Sequence, residues 1–180
     1  MKRVVVTGAS GFCGSAMVRF LQQKGIEVTP LSRNHFLDPK HPESGLSARA
    51  LLGHLVRIAP DAVFHFAGAS HSVDRGLLHE ANTIAALTVL EALQELKSHA
   101  VVVLCGSAAE YGRCGPELMP LSESLPACPV DSYGASKLAQ TQLARLAIAG
   151  GMSVIVTRPF NIIGARMPER LALGSFLAQI

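Results

Sequence analysis

The chain has 180 residues, 49% of them hydrophobic and 16% charged, with a formal net charge of +3. That length and composition fit one domain with a real core, and so small a charge without a Lys/Arg cluster excludes nucleic acid as a partner. No stretch approaches the roughly 20 apolar residues of a membrane-spanning helix, and the apolar run Val4–Val6 is too short for a secretory leader, so a soluble cytoplasmic protein is expected.

Short apolar runs alternate with longer helical patterns. Strand Val4–Val6 is followed by a helix over 13–24 that stops at Lys24-Gly25. Strand Val28–Leu31 runs into a loop, Asn34–Leu46, punctuated by Pro39, Pro42 and Gly45, and then a helix over 47–58. Strand Ala62–Phe66 precedes a long helix over 75–97, and strand Val101–Cys105 precedes a loop, Gly112–Val130, that holds four prolines. A helix over 132–149 ends at Gly150-Gly151; strand Val154–Thr157 and a helical segment Leu171–Ile180 follow. The strands are β-branched and nearly continuous, as in a sheet buried on both faces, and the alternation predicts a doubly wound parallel α/β sheet. Cysteines 13, 105, 114 and 128 lack Cys-x-x-Cys spacing and the seven histidines lack ligand spacing, so no metal site is expected and the thiols are read as reduced. His65, inside an apolar run, reads as a core or loop histidine.

Two motifs carry chemistry. Thr7-Gly8-Ala9-Ser10-Gly11-Phe12-Cys13-Gly14 links the first strand directly to the first helix. Gly8 permits the tight turn, Gly11 lets the backbone approach a pyrophosphate, and Gly14 lets the helix pack close to the strand, whose following helix N-terminus offers amides and a positive dipole end. After the second strand stands Ser32-Arg33-Asn34 with no acid to hold a ribose 2′-hydroxyl; Arg33 suits a 2′-phosphate, which favours NADP(H) over NAD(H). Tyr133 and Lys137, in Ser-Tyr-Gly-Ala-Ser-Lys, lie four residues apart and share one helix face. A cation beside a phenol favours phenolate and lowers its pKa from about 10, which suits proton transfer to a carbonyl.

Further segments make the chain resemble the extended short-chain dehydrogenase/reductase family of nucleotide-sugar epimerases, dehydratases and reductases. They are Asp61-Ala-Val-Phe-His-Phe-Ala-Gly-Ala69, Asn82 leading into Leu90-Glu91-Ala92, Gly106-Ser107-Ala-Ala-Glu-Tyr-Gly112, and Arg158-Pro-Phe-Asn-Ile-Ile-Gly164. The resemblance implies a Rossmann-type sheet over residues 1–180 as one nicotinamide-dinucleotide domain. It implies Tyr133 as catalytic tyrosine, Lys137 as ribose anchor and pKa tuner, and Ser107 as the second donor to the reacting oxygen. Ser10, Phe12, Cys13, Ala67, Gly68 and Pro159 would border the cofactor with the loop glycines; Asn161 would meet substrate, and Glu110 could orient sugar hydroxyls.

In the family's 4,6-dehydratases an acidic pair follows the Ser/Thr; here Ala108 and Ala109 stand there, which disfavours dehydration. Glu110 before Tyr111 looks more like the GDP-4-keto-6-deoxy-D-mannose reductases. The expected activity is therefore NADP(H)-dependent reduction of a nucleotide-linked 4-keto-6-deoxy sugar. The alternatives are a 4-epimerase retaining NAD and a cofactor-binding domain without turnover. Two departures stand out: Gly45-Leu46-Ser47 offers no acid for adenine, with the strand there weak or missing. Family members are also longer, so a C-terminal substrate lobe is expected to be missing. The resemblance further implies a homodimer built on helices 75–97 and 132–149, with Leu138, Leu143, Leu146 and Ile148 apolar along the second.

Overall fold

The computed structural model describes residues 2–70, 74–169, 172–177 and 179. Five strands, β1 (Arg3–Thr7), β2 (Glu27–Leu31), β3 (Ala62–His65), β4 (Val101–Cys105) and β5 (Val154–Thr157), make one sheet of order β2-β1-β3-β4-β5. Every neighbouring pair is parallel. From β1 the chain first moves outward to β2, then returns to the other side for β3, β4 and β5. The order therefore reverses between β1 and β3, and a ligand crevice opens outside the carboxyl ends of strands at such a point.

The helices are α1 (Phe12–Gln23), α2 (Ala48–Ile58), α3 (Arg75–His79), α4 (Ala85–Glu95), α5 (Ser132–Ala149) and α6 (Ala172–Leu177). Short polar side chains start three of them. Ser47 Oγ accepts from Ala50 N, Asp74 Oδ1 from Gly76 N at 2.7 Å, and Asp131 Oδ1 from Gly134 N at 2.7 Å. Side chains alternate across a strand, so the two sheet faces bury different sets. Val5, Val63, Val102 and Leu104 pack under Leu51 and Leu55 of α2, Val89 and Leu93 of α4, and Ala144 of α5. Val4, Val6 and Ala62 pack under Leu21 of α1. On that second face Val101 and Ile155 stay 37% and 53% exposed, so α1 covers the β2-β1-β3 half only.

The expected strands and helices are present within a residue or two at each end, with two differences. The helix expected over 75–97 is interrupted by a π-helical turn, Glu80–Ile84. Asn82 in that turn is fully buried: its side chain accepts from Ala69 N and donates to Ala69 O and Ser136 Oγ, each at 2.9 Å. Those bonds turn Asn82 inward, and the wider turn accommodates it. Between β2 and α2, the segment expected as a loop forms the short 3₁₀ turns Arg33–Phe36 and Pro42–Ser44 and one isolated antiparallel bridge, Leu37 to Leu46. The helix expected over 171–180 is seen as α6; residues 171, 178 and 180 lie outside the described residues. Among the described residues, no helix is long and apolar enough to cross a membrane and no group of acidic, histidine or cysteine side chains could hold a metal ion.

Candidate active site

The glycine loop is held shut by backbone contacts that a side chain would break. Gly8 takes φ +65°, and a Cβ there would lie 2.5 Å from Ala67 N; a Cβ on Gly14 would lie 2.2 Å from Gly8 O. Gly11 N donates to Gly8 O at 2.9 Å. The loop thus presses against the chain leaving β3, and α1 starts directly over it. The first turn of α1 has neither an acidic residue nor a side-chain cap, so its amides and positive dipole end face outward, as an anion requires. A pyrophosphate fits this cradle.

A cavity of about 680 Å³ opens over the loop. Its walls hold Gly8, Gly11, Phe12, Cys13 and Gly14 from the loop and α1, Gly68 after β3, and Ser107 after β4. Tyr133 and Lys137 of α5 and Pro159 and Asn161 after β5 complete it. A smaller cavity of about 240 Å³ shares Gly8 and Gly68 with it and takes in Ser10, Arg33 and Ala67. Every residue expected from the sequence to meet cofactor or substrate, except Glu110, borders one of these two spaces.

Ser107 Oγ accepts from Ala109 N at 3.1 Å, which leaves the hydroxyl proton free to donate. Burial raises the Tyr133 phenol above its ordinary pKa, and the Ser107 hydroxyl opposes that rise. Lys137 is 6% exposed, and its Nζ donates to Cys105 O at 2.9 Å and to Gln140 Oε1 at 3.1 Å. Burial lowers the ammonium's pKa, against the opposing pull of Cys105 and Glu110. The expectation that Lys137 lowers the phenol's pKa is corrected: burial prevails and the phenol's pKa is raised, while the ammonium's hydrogen bonds go to Cys105 O and Gln140 Oε1.

Glu110 is a second correction. It has no accessible surface and cannot touch a substrate. Its Oε1 accepts from Ser107 N at 3.0 Å; its Oε2 accepts from Thr141 Oγ1 at 2.8 Å and Arg158 Nε at 3.0 Å. Arg158 also stacks over the Tyr111 ring, 4.9 Å from its centroid. The carboxylate therefore ties the turn that carries Ser107 to α5 and to the end of β5. Three further residues support the site without having been assigned a role in it from sequence. Cys105 and Gln140 hold the lysine, and Asn82 backs the loop at Gly68, where a Cβ would lie 2.6 Å from its Oδ1. Helix spacing could have pointed to Gln140, three residues after Lys137 on the same face, and the segment running from Asn82 into Leu90-Glu91-Ala92 could have pointed to Asn82.

A doubly wound parallel sheet with a glycine loop at its switch point, and a Ser/Tyr/Lys cluster over that loop, defines a nicotinamide-dinucleotide-binding domain of the Rossmann type. Residues 4–180 match the NAD dependent epimerase/dehydratase family, and the chain belongs to it. A UDP-glucose 4-epimerase of Azospirillum brasilense is 35% identical over 176 residues, 91% of this chain and 50% of that protein. A GDP-6-deoxy-D-mannose reductase of Pseudomonas aeruginosa is 30% identical over 184 residues, 99% of this chain and 58% of that protein. The structure of RMD from P. aeruginosa complexed with NADPH superimposes with a TM-score of 0.80 at 29% identity, over 99% of this chain and 59% of that one. The chain thus spans between half and three-fifths of the length of these relatives.

Proposed function

We propose that this chain is the cofactor-binding and catalytic part of an NADP(H)-dependent reductase acting on a nucleotide-linked 4-keto-6-deoxy sugar. The observation that carries it is the convergence of Ser107, Tyr133 and Lys137 on one cavity over the glycine loop. The bound dinucleotide would supply hydride to the C4 carbonyl carbon. As charge grows on the carbonyl oxygen, Ser107 donates its free proton in a hydrogen bond and Tyr133, protonated by virtue of burial, gives up its own. Lys137 would steady the charge left on the phenolate and meet ribose hydroxyls. Pro159 and Asn161 form the wall where the sugar would enter. The reductase relative from P. aeruginosa, matched along 99% of this chain, supports the nucleotide-sugar class.

The epimerase match at 35% identity favours a second reading, a 4-epimerase that returns the hydride to the opposite face. NADPH oxidation with GDP-, dTDP- and UDP-linked 4-keto-6-deoxy sugars separates the two. Net consumption is expected; tightly retained cofactor without consumption would refute the reductase. The homodimer belongs to the same proposal: Leu77, Ile84, Leu146 and Ile148 are 52%, 41%, 71% and 47% exposed on α3 to α5 and their connecting turn, an apolar set suited to a second copy.

A further inference from the structure

The smaller cavity is where the dinucleotide's adenosine half would lie, and Arg33 is the charged residue on its wall among the described residues. Its guanidinium is already engaged. Arg33 Nη2 donates to Glu80 Oε1 at 2.5 Å, with the two side chains 59% and 28% exposed. Glu80 opens the π turn, whose next residue, Ala81, forms part of the cavity wall with Ala85. The turn that buries Asn82 therefore also sets a carboxylate against the cavity's arginine.

We propose that Glu80 is a specificity-determining residue that tempers the preference for NADP over NAD by competing for Arg33. The inference rests on the nicotinamide-dinucleotide reading of the site. A 2′-phosphate monoester carries close to two negative charges at neutral pH and would draw the guanidinium away from Glu80, while repelling the carboxylate left behind. A 2′-hydroxyl makes no such demand, so NAD binds with the Arg33–Glu80 pair intact. An arginine alone would select strongly for the phosphate; the paired arginine selects less.

The test is isothermal titration of NADP⁺ and NAD⁺ into the native chain, Glu80→Gln, Arg33→Ala and the double variant. Glu80→Gln is expected to tighten NADP⁺ by up to about fivefold, the range of an exposed ion pair, and to leave NAD⁺ unchanged. Arg33→Ala is expected to weaken NADP⁺ by about tenfold, the scale of a charge-assisted hydrogen bond, and to spare NAD⁺. In the Arg33→Ala background the gain from Glu80→Gln should vanish. An unchanged NADP⁺/NAD⁺ ratio in Glu80→Gln overturns the proposal, as does a gain that survives without Arg33. Failure of the native chain to bind either dinucleotide would instead overturn the dinucleotide reading itself, and the proposal with it.

Discussion

His65 makes the fold sensitive to acid. It lies on β3, is 1% exposed, and its Nδ1 shares a 2.9 Å hydrogen bond with Thr7 Oγ1 on the neighbouring strand. Its Nε2 is buried without a partner among the described residues. Burial first, and the Lys137 charge second, lower its pKa from 6.5 to about 3. A folded-state pKa below the unfolded value means that, between those limits, the unfolded chain takes up a proton which the folded chain refuses. Stability is complete above pH 6.5 and declines as the pH falls toward 3. Each unit removes about 1.4 kcal/mol, so acidification to about pH 4.5 costs about 2.7 kcal/mol, a large share of a typical domain's 5–15. His65→Asn preserves a polar atom near Nδ1 and cannot titrate. Urea unfolding of both proteins from pH 7.5 to 4.5 should therefore show native stability falling relative to the variant by roughly that amount, whatever the offset at pH 7.5. Parallel stability curves would refute the reasoning.

Tyr133→Phe is expected to reduce keto-sugar reduction by about 10²–10⁴-fold while NADP⁺ affinity stays put, checked by steady-state kinetics and titration. Gly14→Ala places a methyl group 2.2 Å from Gly8 O, so dinucleotide binding by calorimetry should be lost together with stability. Arg158→Met strips the fully buried Glu110 of its cation and should destabilise the fold by about 3–5 kcal/mol in urea unfolding. Leu93→Ala, under the sheet's main core, should cost about 2–5 kcal/mol in the same assay.

Local signals made most of the sheet legible. β4 and β5 are bounded by turn residues, and their β-branched runs coincide with the expected strands residue for residue. The turn at Gly8 and the close approach at Gly14 were legible as well, because both are decided within eight residues of chain, unlike the contact of Gly8 with Ala67. The π turn was not: Glu80-Ala-Asn-Thr-Ile has an ordinary helical pattern, and its widening follows from bonds between Asn82 and partners 13 and 54 residues away. Glu110 misled for the same reason. The resemblance offers Glu110 to sugar hydroxyls, whereas its partners Thr141 and Arg158 lie 31 and 48 residues further on. The direction of the Tyr133 shift also depends on how deeply α5 is packed, which helix spacing does not report.

The inward turn of Glu110 bears on which chemistry the site can support. Eliminating water from a keto sugar needs an acid and a base on the reacting carbons, and a carboxylate beside Ser107 would be the natural base. Ala108 and Ala109 provide none, and both oxygens of Glu110 are consumed by Ser107 N, Thr141 and Arg158. Among the described residues, the titratable groups that border the larger cavity are Cys13, Cys105, Tyr133 and Lys137. Burial raises the pKa of both thiols, so neither is poised as a base near neutral pH. Lys137 Nζ is held by Cys105 O and Gln140 Oε1. Under the proposed function, Tyr133 would be the proton donor and acceptor, with Ser107 as its hydrogen-bonding partner. One proton paired with one hydride is the stoichiometry of ketone reduction, or of the oxidation and re-reduction in an epimerase.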